Sequence, residues 1–339
     1  MLTLLAALVP VVVFGALLVV VKVPFVSLGP GPTFDTLGTV DGKEVVDIEG
    51  TKTHPTTGHL NMTTVSQRDG LTLGEALALW LSGSEQLMPR DLVYPPGKSR
   101  DEVEEDSDAE FRESEQSAAY AALGYLHYPL AITVADVKDP GPSAGKLQAG
   151  DAIDSVNGET VDSVEQVTAK LTVAKPGETV TIGYRRKNSG PGTVRVTLGD
   201  KPGEKTDHDR GYLGVSILDA PWAPFAVDFN LANIGGPSAG LMFSLAVVDK
   251  LTTGTLAGEK FIAGTGVIKS DGQVGPIGGI THKMSAARDA GATVFLVPAE
   301  NCYEARSEPA GLQLVKVESL AGAVEALHAI ADGGQPPPC

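Results

Sequence analysis

The chain has 339 residues, enough for two or three domains with cores of ordinary size. With 26 Lys+Arg against 42 Asp+Glu its net charge is −16, which argues against a general nucleic-acid binder because phosphate neutralisation needs clustered cations. Two cysteines without metal-ligand spacing and six scattered histidines without H-E-x-x-H leave no legible metal site, and no cofactor is expected.

The first 21 residues, MLTLLAALVPVVVFGALLVVV, hold no charged side chain and are long enough to cross a hydrocarbon core as one helix. No A-x-A pattern follows, which favours a retained transmembrane anchor over 1–24 rather than a cleaved signal or a buried soluble helix. Lys22 alone flanks the span, so charge does not orient it. A mixed module is expected over 25–125. FVSLGPGPTFDTLGTV and GHLNMTTV read as short strands and LTLGEALALWLSG as a helix. Within that module, residues 101–115 hold nine carboxylates and one arginine, the pattern of a solvated helix or a mobile connector.

Over 126–202 the pattern changes to strand AITVADV, a turn and short helix around GPSAG, a strand pair, helix SVEQVTAKL opened by Ser163, and strands ETVTIGYRR and TVRVTL. The run PSAGKLQAGDAIDSVNGETV resembles the most recognisable stretch of PDZ domains. That resemblance implies a peptide ligand added as a strand between residues 131–137 and helix 163–171. It also makes Ser143 a structural residue. Ser143 and Lys146 fit S-x-x-K, but neither S-D-N nor K-T-G is present to complete such a site, and the phosphate-loop reading of 141–146 lacks its Ser or Thr at Leu147.

A polar linker is expected at 203–210 (GEKTDHDR), followed by an α+β domain to residue 339. Here GPSAG occurs again, now before LMFSLAVVDKL, a helix apolar on nearly every face and therefore buried along its length. Only the start of such a helix meets solvent. Ser238 there lies among free backbone amides at the positive end of the helix dipole, so Gly236, Pro237 and Ser238 are the expected oxyanion-binding backbone. Gly235, Gly236 and Gly240 would let a substrate backbone come close. A serine nucleophile needs a base, and the nearby candidates are His282 and Lys283. Helical spacing puts Lys283 with Ile280, Met284, Ala287 and Ala290, whereas His282, Ser285 and Asp289 project from the other face. A free lysine is protonated at neutral pH. Lowering its pKa to roughly 7 to 8 takes about 4 kcal/mol, within the reach of burial.

GGPSAG, then GTG at 264–266, then GQVGPIGGITHK and AARDAGATVFLVPAEN, resemble the proteolytic domain of Lon-type serine peptidases. The resemblance implies a Ser238 nucleophile, a Lys283 base and Thr265 lying against that lysine. Departures occur at Ile234 and Gly235, where the family has an acidic residue, and at Thr281 and His282, where it has lysine and glutamate. The whole chain resembles the membrane-anchored PDZ and Lon-like peptidases of bacteria, the YlbL-like group. This implies an ATP-independent serine endopeptidase acting on flexible protein segments at the cell membrane, its bulk outside the cytoplasm, and by the same resemblance a homo-oligomer, a hexamer. An inactive PDZ and pseudo-peptidase scaffold is the alternative. An HtrA-type protease would need G-N-S-G-G, which is absent. Whether Cys302 and Cys339 pair is open at this point.

Overall fold

The computed structural model describes residues 2–83, 85–200, 210–307 and 311–339, with side chains from residue 8 onward. The linker expected at 203–210 falls outside the described residues except for Arg210.

The N-terminal expectation needs correction. Helix α1 (Leu2–Val20) forms, but among the described residues no helix is long and apolar enough to cross a membrane. The 19 residues of α1 rise about 28 Å at 1.5 Å per residue, short of a hydrocarbon core of about 30 Å. Residues 2–7 of the expected span lack described side chains. The transmembrane helix, the membrane as a partner and the single-pass placement with an extracytoplasmic bulk are all withdrawn. Instead α1 packs on α2 (Leu73–Ser82), where Gly74 permits the approach: a Cβ at that position would lie 2.9 Å from the Leu18 carbonyl oxygen.

Residues 25–125 do not stand apart from the C-terminal part. Strands β1 (Phe25–Asp35), β2 (Val46–Glu49), β3 (His59–Arg68) and β4 (Gln86–Pro89) come first in the chain, followed by α3 (Arg100–Tyr125). The middle of the chain then contributes β5 (Leu130–Val137), β6 (Ala152–Val156), α4 (Val164–Thr172), β7 (Thr179–Arg186), β8 (Gly190–Thr197) and β9 (Val215–Pro221). The C-terminal part contains β10 (Ala226–Phe229), α5 (Gly240–Leu251), β11 (Phe261–Gly264), α6 (Ile280–Asp289), β12 (Val294–Pro298), α7 (Cys302–Ser307), β13 (Gln313–Val317) and α8 (Leu320–Ala331). One sheet has the order β13-β12-β11-β3-β1-β4, so three strands from the C-terminal part continue without a break into three from the N-terminal part. The β3–β11 contact is parallel, Leu60 opposite Ile262, and β2 pairs with β10. A single core joins Val46, Leu60 and Met62 to Phe111 and Ala118 of α3 and to Leu241, Phe243 and Leu245 of α5. Burying each of the larger side chains contributes about 2–3 kcal/mol.

Residues 130–221 form an inserted unit with its own sheet, β8-β7-β6-β5-β9, and its own core from Ile132 to Leu213. Its first and last residues, Leu130 and Pro221, are strand partners. Helix α4 opens at Ser163 as expected, with the side chain accepting a hydrogen bond from the Gln166 amide. The short helix expected at the first GPSAG is instead a series of hydrogen-bonded turns. Ser143 is fully buried there and donates to the Leu213 carbonyl at 2.6 Å.

The acidic run is a helix rather than a connector. Ser99 and Glu102 form a capping box at the start of α3, and Asp101 and Glu102 lie at the positive end of its dipole. Most of its charges face water, with Glu115 half-buried and its carboxyl pushed up to about 7 by desolvation, while Phe111, Ser114, Ala118 and Ala122 turn inward against α5. Cys302 and Cys339 form a disulfide, which ties the last residues beside β13. In the chain-entropy picture, a loop of that length adds about 4 kcal/mol.

Candidate active site

Two glycine-rich turns and one buried helix bring the expected dyad together. Helix α5 is buried from Gly240 to Lys250, so its N-terminus is the part that reaches the cavity. Ser238 precedes it by two residues. The T-G motif at the end of β11 brackets this turn from both sides. The Gly266 amide donates to the Ser238 carbonyl at 2.9 Å, and the Leu241 amide donates to the Gly266 carbonyl at 3.1 Å.

Helix α6 carries Lys283. Gly279 precedes it with φ +69°, a conformation that suits glycine, and a Cβ there would lie 2.9 Å from Val65 of β3. The loop before it is fixed by Asn301, whose side-chain oxygen accepts from the Ile277 amide while its nitrogen donates to the Ile277 carbonyl, both at 2.9 Å. Lys283 is 3% exposed, and its Nζ lies 2.7 Å from Ser238 Oγ and 3.0 Å from Thr265 Oγ1. Thr265 is fully buried, and its hydroxyl donates to the Ser238 carbonyl at 3.1 Å, leaving a lone pair for the lysine. Burial pulls the Lys283 pKa down to about 8. His282 is half-buried and has no hydrogen bond at Nε2. Of the face expected to hold Lys283, Ile280, Met284 and Ala287 are buried, while Ala290 is exposed at the helix end.

The expected oxyanion backbone requires correction. Proline has no N–H, so Pro237 donates nothing. The Gly236 amide is already donated to the Ser107 carbonyl of α3 at 2.9 Å. The Ser238 and Ala239 amides have no acceptor among the described residues, so of the expected set Ser238 remains as a donor, joined by Ala239. Nor do all the glycines serve a substrate. A Cβ at Gly235 would lie 2.2 Å from Ser107 Oγ, and one at Gly240 would lie 2.5 Å from Ile268 Cγ2, so these two admit neighbouring side chains. Gly236, with φ +81°, faces open space.

Ser238 and Lys283 open into a cavity of about 600 Å³. Its walls include Met62, Thr63, Thr64 and Val65 of β3, Phe111 of α3, Ile234, Val267 and Ile277. Sequence reasoning missed the β3 and α3 contributions, as well as Ser107, Ser114 and Asn301. The PAEN stretch after a strand was a visible signal for Asn301; Phe111 and Ser114 were hidden among carboxylates.

The groove expected between residues 131–137 and α4 is also displaced. Strand β5 is hydrogen-bonded to β6 on one side and to β9 on the other, leaving no edge for a further strand. The open edge of this sheet beyond β5 is β9.

The family model described as the Lon protease (S16) C-terminal proteolytic domain matches residues 233–327, and the PDZ domain model matches 103–198. A Lon protease of Heliobacterium modesticaldum is 40% identical over 89 residues, covering 25% of this chain and 11% of that protein. A Lon protease of Brucella suis is 30% identical over 164 residues, 45% of this chain and 20% of that protein. A Brucella suis protein named "Probable periplasmic serine endoprotease DegP-like" is 37% identical over 86 residues, 25% of this chain and 16% of that protein. The chain thus spans between a tenth and a fifth of the length of these curated relatives. These matches and the sheets described above give a chain that carries a PDZ domain and a Lon-protease-like C-terminal domain of peptidase-type fold.

Proposed function

We propose that the chain is an ATP-independent serine endopeptidase that cuts flexible or unfolded protein segments with a Ser238/Lys283 dyad. The observation that carries this reading is the 2.7 Å approach of Lys283 Nζ to Ser238 Oγ, made by an amine whose burial favours its neutral form. Neutral Lys283 takes the Ser238 hydroxyl proton as Oγ attacks the scissile carbonyl carbon. The Ser238 and Ala239 amides face the oxygen that becomes negative. The lysine ammonium then protonates the leaving nitrogen, the C–N bond breaks and an acyl ester remains. Water, giving a proton to the same amine, attacks that ester, and Ser238 leaves with its proton restored. Thr265 holds one lysine N–H, which directs the lone pair towards the serine.

The inserted domain, taken as residues 126–202 together with β9, would recognise peptide by strand addition at the β9 edge.

The test is a peptidase assay on a flexible fluorogenic peptide. Ser238→Ala and Lys283→Ala should each lower turnover by roughly four decades. Ser143→Ala should leave turnover per folded molecule unchanged, because that serine serves only the Leu213 carbonyl. Activity that survives both dyad substitutions would sink the reading.

A further inference from the structure

The nucleophile turn is braced from behind by α3, a helix outside the residues that match the Lon proteolytic domain. Two contacts do this. The Ser107 carbonyl accepts from the Gly236 amide at 2.9 Å, and Ser114 Oγ donates to the Pro237 carbonyl at 2.9 Å. Ser114 is 4% exposed and lies against Gly240, where a Cβ would be 2.8 Å from its oxygen.

The second contact matters because of which peptide bond it holds. The Pro237 carbonyl and the Ser238 amide belong to one planar trans unit, and in such a unit C=O and N–H point in opposite directions. Fixing the carbonyl on Ser114 therefore aims the Ser238 N–H away from it. A hydrogen bond accepted by the carbonyl also polarises the unit and strengthens the N–H as a donor. We propose that Ser114 is a positioning residue for the oxyanion donor: it sets the orientation of the Ser238 amide without touching substrate. The inference rests on Ser238 being the nucleophile. It makes the helix read as a solvated acidic segment part of the catalytic apparatus, with Ser114 acting on the transition state and not on substrate binding.

The experiment compares the full chain with Ser114→Ala and Ser238→Ala, using a fluorogenic peptide, a peptidyl boronate that forms a tetrahedral adduct on serine, and complete titration of reactive sites with a fluorescent fluorophosphonate. For Ser114→Ala, kcat per titrated site should fall roughly 10- to 100-fold with KM little changed, and boronate affinity should weaken by a similar factor. The pH midpoint of the rate should stay in place, since Lys283 is untouched. A merely structural role would lower the number of titratable sites while leaving kcat per site and boronate affinity as in the parent chain; that result overturns the proposal. If Ser114→Ala does not fold, Ser114→Cys, of similar size but a weaker donor, should show the same pattern at smaller amplitude, and wild-type kcat and boronate affinity in that variant would equally overturn it. Full activity in Ser238→Ala would instead remove the nucleophile assignment beneath it.

Discussion

Thr265 links Lys283 to the backbone of Ser238: its hydroxyl accepts from Lys283 Nζ at 3.0 Å and donates to the Ser238 carbonyl at 3.1 Å. One hydroxyl thus fixes both partners, and its replacement tests that double role. Thr265→Ser keeps the hydroxyl and should retain most activity. Thr265→Val should lower kcat roughly 10- to 100-fold by freeing the amine to rotate. Equal kinetics for the two variants would show that the hydroxyl orients nothing.

The ionisation of Lys283 sets the pH dependence. Because burial holds its pKa at about 8 and the proposed mechanism uses the neutral amine, kcat/KM should rise with pH and level off above about 8. Lys283→Arg should be inactive at every pH, since guanidinium stays charged. A limb near 6.5 that disappears in His282→Ala would point to a histidine base instead.

The same lysine should make the protein less stable than it could be. Its pKa is about 8 in the fold against an ordinary 10.5, so between these values the unfolded chain binds a proton that the native state does not, and stability rises with pH. Below pH 8 the native state carries a desolvated ammonium, a penalty of about 3 kcal/mol from the gap between the two values. Lys283→Met should therefore raise the denaturation midpoint at pH 7, with the advantage fading as the pH approaches 10.5. Urea titrations at pH 7 and pH 10 would show this, and a variant less stable at pH 7 would contradict it.

Peptide recognition should leave its mark on β9. A peptide selected from a random library against the full chain should slow amide exchange in Val215–Pro221. Exchange in Leu130–Val137, whose edges are already paired, should hardly change. The reverse pattern would restore the groove to β5.

What could be read from the sequence was local. PSAG, the T-G pair and the spacing from Gly278 to Lys283 are short motifs whose chemistry depends on near neighbours, and the structure brings Ser238, Thr265 and Lys283 together. The β3–β11 pairing was not legible, because Leu60 and Ile262 lie far apart in sequence and local periodicity carries no information on strand partners. For that reason residues 25–125 read as a separate module. In α3 the spacing of Phe111, Ser114, Ala118 and Ala122 is helical, but the surrounding carboxylates drew attention to the solvated face. The peptide groove was misplaced for a related reason: whether a strand is an edge or an interior one depends on β9, beyond the segment that carried the PDZ signature.

The pairing of Leu130 with Pro221 bears on how the chain reaches its native state. Before β2 can meet β10, the polypeptide must close a loop of about 175 residues, a cost on the order of 5 kcal/mol for a flexible chain. The inserted domain has its own core and can fold first. Once it has, its two ends are adjacent, and the loop left to close is about half as long, which lowers the closure cost by about 0.6 kcal/mol. The connectivity thus favours an order in which the insert forms early and the six-stranded sheet, with three strands from each side of it, assembles afterwards.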